Sequence, residues 1–111
     1  MSKEKRSFER SPIELAASFG LPEDEQTGQI IDISAGGFCI NSPSKQRIGS
    51  EIRLAIELDD EERITVTVKV AWCNKDEVDE SYRVGVQILP NRSPDFERFY
   101  QFYCDLMAQN G

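Results

Sequence analysis

Between Glu51 and Trp72 apolar and polar residues alternate with a period of two, and no feature restricts the fold of this chain more. Ile52, Leu54, Ile56 and Leu58 alternate with Glu51, Arg53, Ala55 and Glu57. Ile64, Val66, Val68, Val70 and Trp72 then alternate with Arg63, Thr65, Thr67, Lys69 and Ala71. A strand sends successive side chains to opposite faces, so each run has one face to bury and one to solvate. Asp59-Asp60-Glu61-Glu62 joins the two runs as a charged hairpin tip. By the same alternation Trp72 is expected in the core, as the last inward residue of its strand.

Shorter runs repeat the pattern. Ile13, Leu15, Ala17 and Phe19 alternate with Glu14, Ala16 and Ser18 after a polar arm that ends at Pro12. Residues 29–33 form a second strand, closed by a turn over Asp32–Gly37, and residues 37–41 a third, with Phe38 and Ile40 on one face. Tyr82, Val84, Val86 and Ile88 make the sixth. Six period-2 strands joined mostly by short loops predict a closed or nearly closed antiparallel barrel. After Ile88 the period changes. Ser93-Pro94-Asp95 suits a helix start, with a serine to cap, a proline for the first turn and a carboxylate for the positive end. Phe96, Phe99, Tyr100, Tyr103, Leu106 and Met107 follow at helical spacing and should pack on the barrel. The expected fold is therefore all-β dominated: a six-stranded antiparallel β-barrel over residues 13–111 with a C-terminal α-helix at 93–109, preceded by a flexible arm over 1–12.

Charge and composition exclude several function classes. No apolar run reaches the ~20 residues of a membrane-spanning helix, and the polar start argues against a signal peptide, so the chain is expected in the cytoplasm with no membrane insertion. Residues 1–10 carry four cations and two carboxylates, a net +2, which leaves −9 on the other 101 residues of a chain whose total is −7. That distribution opposes general nucleic-acid binding, which needs a broad positive surface, and opposes an OB-like single-strand binder for the same reason. There is no histidine, no nucleophile–base pair and no P-loop, so an enzyme is not expected. The cysteines Cys39, Cys73 and Cys104 have no metal spacing, and the acidic tips lack the spacing of a calcium loop; no metal or cofactor is expected.

Two short motifs carry the chemistry. Arg6-Ser7-Phe8-Glu9-Arg10 is an R-x-x-x-R run, and Asp32-Ile33-Ser34-Ala35-Gly36-Gly37 a D-x-S-x-x-G run. If the strands between them pair as an antiparallel hairpin, the start of the first lies beside the end of the second, and both motifs reach the same end of the sheet. Arginine forks bind phosphate or the O6 and N7 edge of guanine, a carboxylate accepts from guanine N1 and N2, and glycine lets backbone come close. Taken singly, the arginines read equally well as solvated charges, and Asp32 and Ser34 as turn formers.

The two motifs in this order resemble the PilZ domain family, bacterial receptors for cyclic di-GMP. Val70-Ala71-Trp72 is similar to that family's V-x-W strand, and the run Tyr82–Ile88 to its last strand; the resemblance covers roughly residues 5–108. It implies that Arg6 and Arg10 contact phosphate and guanine edges, that Asp32 holds a guanine, that Ser34 meets a phosphate or nearby backbone, and that Gly36 and Gly37 permit close approach. It also implies that Lys5, a basic residue directly before Arg6, favours two intercalated ligands over one. The physical reason is charge: two stacked ligands bring about −4 into a site where two arginines supply only +2. The function implied is a stand-alone cyclic di-GMP receptor, monomeric or a weak homodimer, that signals to a protein partner by ordering its N-terminal arm. The alternative is an adaptor of the same fold that works by protein–protein contact without ligand.

Overall fold

The computed structural model describes residues 11–19, 25–34, 36–59 and 61–110. The elements run β1 (Ser11–Phe19), β2 (Gln26–Ser34), β3 (Gly37–Ser42), β4 (Glu51–Glu57), β5 (Arg63–Lys75), β6 (Tyr82–Ile88), a 3-10 turn at Pro90–Arg92 and α1 (Phe96–Asn110). The strands close into a barrel in the order β1-β2-β3-β6-β5-β4, with every neighbouring pair antiparallel. The expected barrel and C-terminal helix are thus both present.

The alternation drives closure. β4 and β5 pair without interruption from Glu51 opposite Lys69 to Glu57 opposite Arg63, which places Leu54, Ile56, Ile64, Val66 and Val68 on one side. These join Ile30, Ile33, Phe38, Ile40, Val70, Val84, Val86 and Ile88 in a single buried core. Each such side chain contributes about 1.5–3 kcal/mol on burial. Ala17 and Phe19 of β1 pair with Ile56 and Leu54 of β4, and this seam closes the barrel and leaves no open edge there.

Three register shifts break the regular pairing: between Pro12 and Leu15 in β1, between Ile30 and Asp32 in β2, and between Val70 and Trp72 in β5. A bulge inserts one residue and so exchanges the inward and outward sets beyond it. In β5 this overturns the expectation for Trp72. Val70 faces inward, the bulge falls at Ala71, and Trp72 emerges on the outer face with 40% of its surface exposed.

The helix also begins differently from its predicted start. β6 stops pairing with β5 at Ile88 opposite Val68. Beyond that point the chain leading to the helix takes over the β5 backbone: Leu89 N–H donates to the Thr67 carbonyl at 2.9 Å and Asp95 N–H to the Thr65 carbonyl at 3.1 Å. The buried Ser93 hydroxyl accepts from Thr67 N–H at 2.9 Å and donates to the Leu89 carbonyl at 2.8 Å. The Asp95 carboxylate accepts from Thr65 N–H at 2.7 Å. The expected serine cap and the Asp95 carboxylate are both committed to the sheet, and α1 starts at Phe96, with the Asp95 carbonyl accepting the first helical bond from Phe99 N–H at 2.9 Å. Phe99 plugs the barrel end against Phe38, with ring centroids 5.8 Å apart. Phe96, Phe102, Tyr103 and Leu106 pack partly buried around it.

Candidate functional site

The D-x-S-x-x-G run closes the β2–β3 hairpin, with Ser34 opposite Gly37. This turn lies at the barrel end where β1 begins, since Ser11 pairs with Ile33 and Pro12 with Asp32. Arg10 is bonded to Ser11, so the chain that carries the R-x-x-x-R run joins the barrel beside the turn. Lys5, Arg6 and Arg10 themselves lie outside the described residues.

The orientation of Asp32 depends on the β2 bulge. Ile30 is buried, and in a regular strand Asp32 would share its inward face. The extra residue at Ile31 makes Ile33 the next buried side chain and turns Asp32 outward, half-buried, opposite Cys39. A carboxylate inside an apolar barrel would carry a large desolvation cost, so bulge and carboxylate belong together.

Ser34 and the two glycines serve the turn itself. The Ser34 hydroxyl, buried, donates to the Gly37 carbonyl at 3.2 Å. A Cβ on Gly37 would overlap the Val86 carbonyl oxygen, so the lack of a side chain lets β6 close on β3. Gly36 is exposed, and a Cβ there would meet nothing within 4 Å. Its carbonyl accepts from Ile88 N–H at 3.0 Å and ties the turn to the end of β6.

Sequence reasoning put Trp72 in the core, and the structure puts it on the outer face. Cross-strand partners run Pro12, Asp32, Cys39, Gly85, Trp72 across five strands on the outer face. Asp32 and Trp72 are three strand spacings apart, roughly 14 Å. The indole lies against Gly85, where any Cβ would overlap its Nε1 and Cε2 atoms. A flat aromatic surface and a carboxylate therefore share one row of the barrel wall. The signal was present in the sequence as a lone tryptophan and a glycine inside an otherwise apolar strand, but their contact depends on the β5 bulge. Cys39 is buried, Cys73 half-buried and Cys104 exposed, and none of the three is in a disulfide. Among the described residues no helix is long and apolar enough to cross a membrane.

A family model described as the PilZ domain matches residues 4–103. Several solved structures share the fold. MotI/DgrA, the inhibitor of motility of Bacillus subtilis, superposes with a TM-score of 0.72 at 21% identity, covering 97% of this chain and 53% of that one. YcgR from Escherichia coli in complex with c-di-GMP gives 0.72 at 14% identity, covering 96% and 47%. The K. pneumonia MrkH–c-di-GMP complex gives 0.76 at 16% identity, covering 97% and 55%. The chain therefore spans about half the length of these three proteins. A comparison with curated proteins finds no match.

Proposed function

The chain belongs to the PilZ domain family, and on that premise we propose that it is a receptor for cyclic di-GMP that passes ligand occupancy to a protein partner. The observation that carries this reading is the β2 bulge. It turns Asp32 out of the core and sets it opposite Pro12, two residues from Arg10. The solved structures of YcgR and MrkH are complexes with c-di-GMP, which supports the same ligand class.

In this reading Asp32 accepts from guanine N1 and N2. Arg6 and Arg10 bring guanidinium forks to phosphate oxygens and a purine edge, and Lys5 adds the third cation that favours a second, stacked ligand. Ser34, Gly36 and Gly37 form a rigid turn beneath. No step of bond making is required; the output is the ordering of residues 3–10 over the ligand, since Ser11 and Pro12 already pair in β1.

Calorimetric titration of the whole chain tests the ligand. Cyclic di-GMP is expected to bind with a Kd of about 1 μM or tighter, and a single-stranded oligonucleotide not at all. No heat with cyclic di-GMP would favour the ligand-independent adaptor. Hydrogen exchange tests the output: residues 3–10 should exchange fast without ligand and slowly with it, while β5 is protected in both states.

A further inference from the structure

The outer face of β4 and β5, with the 43–50 loop that precedes β4, has properties the ligand site does not use. Among the described residues most arginines are ion-paired: Arg63 with Glu57, Arg83 with Asp76, Arg92 with Glu51 and Arg98 with Glu62. Arg47 and Arg53 are the exceptions, and both lie on this face. Lys45 and Lys69 lie there too, exposed and in no ion pair among the described residues, with Lys69 opposite Glu51, which Arg92 engages. Four cations with no carboxylate partner among the described residues thus lie on β4, β5 and the loop before β4, in a chain whose net charge is −7.

The same face has an apolar point and a groove. Ser50 N–H donates to the Arg47 carbonyl at 3.1 Å, and Gly49 takes φ +89, which is the geometry of a type II turn with Ile48 at its tip. Ile48 is 64% exposed. The turn is rigid, because Gly49 N–H donates to the Val70 carbonyl at 2.8 Å and Val70 N–H to the Ser50 carbonyl at 2.9 Å. Directly after the turn, Glu51, Ile52, Arg53, Thr67 and Arg92 line an open groove of about 460 Å³. In the barrel order β1-β2-β3-β6-β5-β4 the β4–β5 seam is the one farthest around the ring from the β2–β3 seam.

We propose that the β4–β5 face is a docking surface for an acidic protein segment that seats carboxylates against Arg53 in the groove and Lys69 beside it, and an apolar side chain on Ile48. Charge complementarity selects the occupant. Unpaired cations on an otherwise acidic body attract a short acidic segment at close range, while a long polyanion meets the surrounding negative charge. The exposed isoleucine on a pinned turn supplies a preorganised apolar contact at small entropic cost.

A random 12-residue peptide library displayed on phage, panned against the whole chain, tests the proposal. Enriched peptides are expected to carry two or more Asp or Glu residues around a large apolar residue. A synthetic copy of the leading peptide should bind wild type, lose roughly tenfold or more in affinity to Arg53→Glu/Lys69→Glu, and weaken as salt rises. Ile48→Ser should weaken it to a lesser degree. These exposed substitutions should leave the far-ultraviolet circular dichroism and the cyclic di-GMP titration unchanged, so this inference can fail while the ligand reading stands, and the reverse. No enrichment, a consensus without acidic residues, full retention by the charge-reversed variant, or preferential binding of duplex DNA or phosphatidylserine vesicles would overturn it.

Discussion

Gly36 and Gly37 stand side by side in the turn, and the structure predicts opposite outcomes for the same substitution at each. A methyl on Gly37 would land on the Val86 carbonyl oxygen, with the Val86 carbonyl carbon and Gln87 Cα close behind. These are backbone atoms of β6, fixed by the pairing of Phe38 with Val86, and the Val86 side chain is in the core. No rotamer can relieve the overlap; β3 and β6 must separate. Overpacking of a core typically costs 1–3 kcal/mol, and with backbone as the obstacle Gly37→Ala should cost about 3 kcal/mol. For a domain of this size that lowers Tm by roughly 10–20 °C. Gly36 has open space where its Cβ would go and no positive φ, so Gly36→Ala should be neutral or add up to about 1 kcal/mol by restricting the unfolded chain. Thermal melts of both variants by circular dichroism decide the matter. A Gly37→Ala protein that melts within a degree or two of wild type, or a Gly36→Ala protein that melts well below it, would refute the assignment of Gly37 to strand packing.

Three predictions concern the ligand. Arg6→Ala and Arg10→Ala should each weaken cyclic di-GMP binding by about 1.5–3 kcal/mol, the worth of a charge-assisted donor, with little change in Tm; wild-type affinity in either would remove that arginine from the site. Asp32→Ala should erode discrimination between cyclic di-GMP and cyclic di-AMP more than it lowers phosphate affinity. Equal binding of the two dinucleotides by the unaltered protein would remove the carboxylate–guanine contact. Calorimetry should give two ligands per wild-type chain and about one for Lys5→Leu, because the third cation offsets part of the charge of four phosphates; a stoichiometry near one for both would show that Lys5 recruits no second molecule.

The alternation of Ile52–Leu58 and Ile64–Val70 made strands the answer before any coordinates, because a period of two is a local property that survives any register. The shift to helical spacing after Ile88 was legible for the same reason. So was the hairpin that brings the start of β1 beside the D-x-S-x-x-G turn, since Ser11 does pair with Ile33. What the chain alone left open depends on contacts between distant segments. The bulges at Ile31 and Ala71 exist only relative to partner strands, and each reverses the facing of everything beyond it, so Asp32 and Trp72 point outward against the simple alternation. Gly37 looks like a turn residue in sequence and proves to be the gap that β6 needs, nearly fifty residues away along the chain. Ser93 and Asp95 look like helix caps, yet their side chains bind β5 because β6 stops at Ile88 and leaves Thr65 and Thr67 to be satisfied. Local periodicity decides which elements form; closure of the barrel decides which way a side chain faces and which backbone group it must satisfy, because those are set by what lies across the sheet.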